Sequence, residues 1–158
     1  MDEIFNRNPI EWYDQQVISS AHDATTVEPY DMPGSYILFV YPRDATPVCT
    51  DEIKELEFYK SQLPLPVITG STDSPEVHNW FFNDPEVFST PITYPVLTIN
   101  PADLTEKGVD LLLNAYGYCR RVAIIVIEDK VRAVYEMDND TPRDVSVLLT
   151  LARSITGK

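Results

Sequence analysis

Only two cysteines, Cys49 and Cys119, occur in the 158 residues, which argues against a secreted scaffold stapled by disulfides. Those cysteines and the two histidines stand in no metal-ligand spacing, so no structural zinc site is expected. Five glycines are scattered along the chain, which leaves no glycine-rich loop to cradle phosphates. No Gly-x-Ser-x-Gly elbow is present either, and no cofactor is implied. Positive charge is scarce: 12 Lys and Arg face 25 Asp and Glu, the net charge is −13, and the longest basic run is Arg120-Arg121. Nucleic acid and anionic membrane surfaces should repel such a chain. The charge reads first as a solubility device, and second as a means of selecting a basic protein partner. The longest apolar runs, such as 122–127, fall far short of a bilayer's thickness. Met1-Asp2-Glu3 is acidic with no apolar run behind it, unlike a secretory signal. A cytoplasmic location is expected.

What is present is an ordinary globular composition, 44% apolar and 23% charged, in a length suited to one domain with its own core. No internal repeat or low-complexity linker divides it. The patterning predicts strands near 17–19, 26–28, 36–41, 66–72, 96–100, 122–128 and 133–137. It predicts helices near 48–61, 75–82, 104–115 and 141–155. Asp140-Thr141-Pro142 reads as the start of the last helix and Gly157 as its stop. Glu128-Asp129-Lys130 reads as a hairpin turn. Strands alternating with helices, closed by that hairpin, imply an α/β layered domain with a mixed sheet.

The most informative stretch runs from Tyr36 to Glu52. Tyr36-Ile37-Leu38-Phe39-Val40-Tyr41 reads as a buried strand, while Ile53, Leu56, Phe58 and Tyr59 recur near helical spacing. Pro42 and Pro47 force a turn between the two, so Cys49 falls in or just before the first helical turn. There, unpaired N–H groups and the helix dipole favour an anion. An unperturbed thiol, with pKa near ~8.5, is only about 3% ionised at pH 7. A helix terminus supplies ~0.3–1 kcal/mol, so a reactive thiolate also needs a nearby cation. Position alone leaves two readings open, a reactive sulfur and a small buried core residue.

Pro42-x3-Thr46-x2-Cys49, with Glu52 three residues on, resembles the active-site motif of the peroxiredoxins. Val67 to His78 is similar to that family's central strand and the entry to its next helix. Tyr94-Pro95-Val96-Leu97-Thr98 resembles its aromatic-proline strand entry, and Asn114-Ala115-Tyr116-Gly117 a family helix end. Arg121 resembles the arginine that opens the following strand. These blocks keep the family's order across roughly residues 18–155. The resemblance implies a thioredoxin-like fold, a mixed central sheet flanked by helices with an N-terminal hairpin, over 18–158. Residues 1–17, carrying Glu11-Trp12-Tyr13-Asp14, form an atypical N-terminal segment.

The resemblance further implies a thiol peroxidase acting on hydrogen peroxide or small organic hydroperoxides. Cys49 would attack the O–O bond and become a sulfenic acid. An external thiol such as thioredoxin or glutaredoxin would regenerate it. Thr46 would offer its hydroxyl to the sulfur or the peroxide, Pro42 would shield the pocket, and Glu52 would hold the arginine. Arg121 would supply charge and a fixed fork of donors. The alternative is a thioredoxin-fold redox sensor, or a partner-binding or structural protein, with little peroxidase turnover. Neighbouring strand residues face opposite sides, so only one of Arg120 and Arg121 can point at Cys49, and Arg121 is expected. If strand geometry extends back to Cys119, that thiol shares Arg121's face and comes near Cys49. An external thiol is nonetheless expected ahead of an internal disulfide. His78 reads as a helix-face residue. Trp80-Phe81-Phe82 and Trp12-Tyr13 read as core, or as the interface of a homodimer.

Overall fold

The computed structural model describes residues 16–18, 28–29, 33–89, 92–99, 113, 117–128, 130–138 and 141–158. Seven strands form one sheet: β1 (Gln16–Ile18), β2 (Glu28–Pro29), β3 (Tyr36–Val40), β4 (Val67–Ser71), β5 (Val96–Thr98), β6 (Arg121–Ile127) and β7 (Lys130–Met137). Their order across the sheet is β2-β1-β5-β4-β3-β6-β7. β3, β4 and β5 run parallel, while β1, β2, β6 and β7 pair antiparallel with their neighbours. Among the described residues three helices accompany them: α1 (Pro47–Tyr59), which a 3₁₀ turn at Lys60–Gln62 extends, α2 (Pro75–Phe82) and α3 (Val145–Thr156). The sheet is mixed and flanked by helices, and β1 and β2 supply the N-terminal hairpin pairing. β1 starts at Gln16, two residues ahead of the expected domain start at 18. The helix expected at 104–115 lies outside the described residues, apart from Leu113, which bridges to Cys119. Residues 1–15 also lie outside them.

β3 organises the core because all five of its residues are buried and its side chains alternate between two layers. Ile37, Phe39 and Tyr41 pack with Cys49, Ile53 and Leu56 of α1 and with Val145, Leu148 and Ala152 of α3. Tyr36, Leu38 and Val40 pack on the other face with Ile68, Leu97, Val122 and Ile124. Such two-faced burial explains why β3 reads as a continuous apolar run rather than an alternating one.

The turn from β3 into α1 is sharp. Ala45 takes a left-handed φ of 64°, a conformation that costs a side-chain-bearing residue about 1–2 kcal/mol. Thr46 is the extended N-cap (φ −88°, ψ 149°), and Pro47 occupies the first turn, where its missing N–H is not needed.

α3 starts later than the expected 141. Asp144 is its N-cap, accepting the Ser146 N–H at 2.9 Å, because the Arg143 N–H is drawn to Glu52 instead. Gly157 ends the helix in the left-handed conformation. Among the described residues, no helix is long and apolar enough to cross a membrane.

Candidate active site

Cys49 is the third residue of α1 and is completely buried. Intrahelical bonding begins just past it, where the Thr50 N–H meets the Thr46 carbonyl at 2.9 Å. The sulfur therefore sits at the positive end of the helix dipole. Arg121 opens β6, beside β3, and its Nη1 donates to Cys49 Sγ at 3.4 Å. The same nitrogen donates to Glu52, one turn further along α1. Arg120 turns the other way and pairs with Glu136 at 2.5 Å in a partly exposed contact.

A second arginine, not singled out in the sequence, completes the cluster. Arg143, immediately before the α3 cap, sends Nε to Glu52 Oε2 at 2.8 Å and Nη2 to Oε1 at 3.2 Å. Its backbone N–H donates to the same Oε2 at 2.6 Å, and its guanidinium lies 3.6 Å from the centre of the Phe39 ring. Burial pulls the pKa of Arg143 below the usual arginine value; its bonds to Glu52 and the field of Cys49 oppose that shift. Two guanidiniums against one carboxylate leave a single positive charge, which a Cys49 thiolate would neutralise. The arrangement can hold a sulfur anion and guide its attack.

Thr46 and Pro42 lie on the turn between β3 and α1, with no polar bond to the sulfur among the described contacts. The Thr46 hydroxyl donates to the Arg43 carbonyl at 3.3 Å, and its own carbonyl accepts the Thr50 hydroxyl at 2.7 Å. Pro42 is half-buried where the chain leaves β3.

Cys119 does not share the face of Arg121. It packs in the opposite layer with Leu38 and Val122, whereas Cys49 packs with Ile37 and Ala123. The assumption of continuous strand geometry fails because the Val122 N–H folds back onto the Arg120 carbonyl at 3.0 Å, a three-residue turn that breaks the alternation. Burial pushes the Cys119 thiol up to about 12, with Asp73 adding to the shift. It is a protonated core thiol.

A polar cluster next to the turn also escaped the sequence reading. Asp44, between Pro42 and Thr46, accepts the Tyr41 hydroxyl and shares a 2.5 Å bond with His78 Nδ1. The Asp44 N–H donates to Asp73 Oδ2 at 2.7 Å, and the Ser71 hydroxyl meets that same oxygen. Burial raises the Asp44 pKa even though the bonds from His78 and Tyr41 lower it, and burial raises that of Tyr41 still more clearly. Ligand atoms of Asp44, Asp73 and His78 lie within 4.8 Å of one another. Asp44 and Asp73 already receive hydrogens from Tyr41, Ser71 and the Asp44 backbone, so the set is built as a hydrogen-bonded relay rather than a cation cage.

A thioredoxin-like sheet with a cysteine at a helix N-terminus under an arginine defines a class of thiol-based redox proteins. Residues 15–134 match the model of the AhpC/TSA family, and the chain belongs to that family. A peroxiredoxin of Treponema denticola is 27% identical over 90% of this chain and 71% of its own length. One from Hyperthermus butylicus is 30% identical over 76% of this chain, which spans only 54% of that relative. Among solved structures, AhpC of Enterococcus faecalis superposes with a TM-score of 0.73 at 21% identity, covering 97% of this chain and 92% of that one. That likeness carries the fold.

Proposed function

We propose that this protein is a thiol peroxidase that reduces hydrogen peroxide or small organic hydroperoxides at Cys49. The observation that carries the reading is the Arg121 guanidinium 3.4 Å from a sulfur at a helix N-terminus, with Glu52 bracing it from behind. The Cys49 thiolate attacks one peroxide oxygen, the S–O bond forms as the O–O bond breaks, and the sulfur is oxidised by two electrons. The departing oxygen takes a proton and leaves as water or an alcohol. Arg121 serves both charges, the thiolate before attack and the leaving oxygen during it. Thr46 and Pro42 shape the entry, with the Thr46 hydroxyl released from Arg43 to meet the peroxide.

One external thiol then condenses with the sulfenic acid to give a mixed disulfide and water, and a second thiol releases reduced Cys49. The placement of Cys119 in the other layer supports an external reductant over an internal disulfide. Trp80, 65% exposed beside buried Phe81 and Phe82, supports a homodimer. The two free cysteines suit a reducing cytoplasm.

The test is stopped-flow peroxide consumption by the reduced protein, with and without a thioredoxin or glutaredoxin system. Fast oxidation of one thiol with sustained turnover is expected, and Cys49→Ser should abolish it while the protein stays folded. Oxidation without turnover would favour a sensor, and activity surviving in Cys49→Ser would refute the reading.

A further inference from the structure

We infer that His78 is a positioning residue for the reaction at Cys49, acting through Asp44 on the turn that delivers Pro42 and Thr46. The inference rests on the peroxidase reading and adds to it a residue outside the thiolate cluster. His78 sits on α2, wholly buried, with its Nδ1 2.5 Å from Asp44 Oδ2. Asp44 is the middle residue of the turn 42–46 and is held from three sides. Tyr41, just past β3, donates to one carboxylate oxygen, His78 of α2 binds the other, and Asp73 beyond β4 takes the backbone N–H. A turn on the surface of a sheet does not need three side-chain anchors, two of them buried, to change direction. This turn also contains Ala45 at a φ of 64°, and a strained residue persists only where its surroundings over-determine it.

The next residue after Ala45 is Thr46, whose backbone caps α1 and whose hydroxyl donates to the Arg43 carbonyl within the same turn. The clamp on Asp44 therefore fixes where that hydroxyl stands relative to Cys49, three residues on. Arg121 reaches Cys49 from β6, and Glu52 of α1 holds Arg121 there, on elements other than the turn that carries Asp44. Loosening the clamp should disturb peroxide alignment while the sulfur keeps its charge.

The experiment measures the second-order rate of Cys49 oxidation by hydrogen peroxide in the reduced full chain, together with the ultraviolet titration of its thiolate. Three proteins are compared: wild type, His78→Asn and His78→Leu. Asn can place an amide N–H near the position of Nδ1, and its rate should stay within about threefold of wild type. Leu fills the site but donates nothing, and misalignment should slow it at least about tenfold. The thiolate should titrate at the same pH in all three. If His78→Leu does not fold, Asp44→Asn, which keeps the side-chain volume, should show the same slowing. Equal rates in wild type and His78→Leu, or in wild type and Asp44→Asn, would overturn this inference alone. So would a His78→Asn rate as low as that of His78→Leu, or a thiolate titration that moves with the rate. Absence of fast oxidation in the wild type would overturn the peroxidase reading and this inference with it.

Discussion

Discharging Glu52 by substitution with Gln probes whether the buried charges around Cys49 act as one unit. The Glu52 carboxylate receives Arg121 Nη1, Arg143 Nε and Nη2, and the Arg143 backbone N–H. The three residues are between 1% and 2% exposed, so water cannot replace a lost partner. Breaking a buried ion pair by removing one charge costs about 3–5 kcal/mol, because the other charge remains buried without compensation. Two guanidiniums would remain here, which pushes the loss up. Gln keeps a carbonyl acceptor, which pulls it down. The middle of that range, about 4 kcal/mol, is the expected loss. For a chain of this size each kcal/mol moves the Tm by roughly 2–4 °C, so the midpoint should fall by roughly 8–16 °C.

A stability of about 5–15 kcal/mol leaves most of that range folded at room temperature, where the chemistry can also be read. Without its carboxylate anchor, Arg121 loses its fixed position beside the sulfur, and peroxide oxidation of Cys49 should slow even in the folded fraction. Denaturant and thermal melts of Glu52→Gln, with Asp51→Asn as the exposed neighbour on the same helix, provide the measurement. The control should change stability by less than about 0.5 kcal/mol. A loss under about 1 kcal/mol for Glu52→Gln would refute the view that one buried carboxylate organises both arginines.

Arg121→Lys should lose most peroxidase activity in a steady-state assay, since Lys keeps the charge but cannot serve sulfur and carboxylate from a fixed fork. Arg120→Lys should be nearly silent, because its partner Glu136 lies in a partly exposed pair worth at most about 1 kcal/mol. Cys119 should resist alkylation in the native protein and react only after unfolding, as read by intact mass. Its folded pKa, about 12, lies above the unfolded value. Its contribution to stability is thus intact below roughly pH 8.5 and is lost as the pH rises from there, by up to about 1.4 kcal/mol per pH unit. Denaturant midpoints of Cys119→Ala should lack that alkaline slope. Ala45→Gly should leave stability within about 1 kcal/mol of wild type, whereas Ala45→Val, β-branched at a left-handed φ, should lower the thermal midpoint clearly.

The legible parts of the site were those set by local chain geometry. A strand, a proline turn and a helix start lie within 14 residues of one another, from Tyr36 to Cys49, so Cys49, Thr46 and Pro42 could be placed without tertiary information. Glu52 and Arg121 were marked out by the family resemblance; helical spacing puts Glu52 near the face of Cys49, and strand alternation says only that one of Arg120 and Arg121 can point there. Arg143 was not legible in this way, because its bond to Glu52 spans 91 residues and exists only once α3 docks beside α1. One signal for it was nevertheless present. An arginine beside the start of a helix faces the positive end of the dipole, an unfavourable place for a cation unless a carboxylate compensates. His78 carried less signal still, since a histidine on a short helix shows its worth only when Asp44 arrives from another loop.

Cys119 marks where strand reasoning stops. Side-chain alternation is enforced by the hydrogen-bonded ladder, not by apolar residues as such. The ladder of β6 begins at Arg121 opposite Met137 and reaches β3 at Val122 opposite Val40. Cys119 lies before both and is held instead by its own bridge to Leu113. Counting back two residues from Arg121 therefore crossed out of the ladder, through the Arg120–Val122 turn, and the side chain emerged in the other layer of the core.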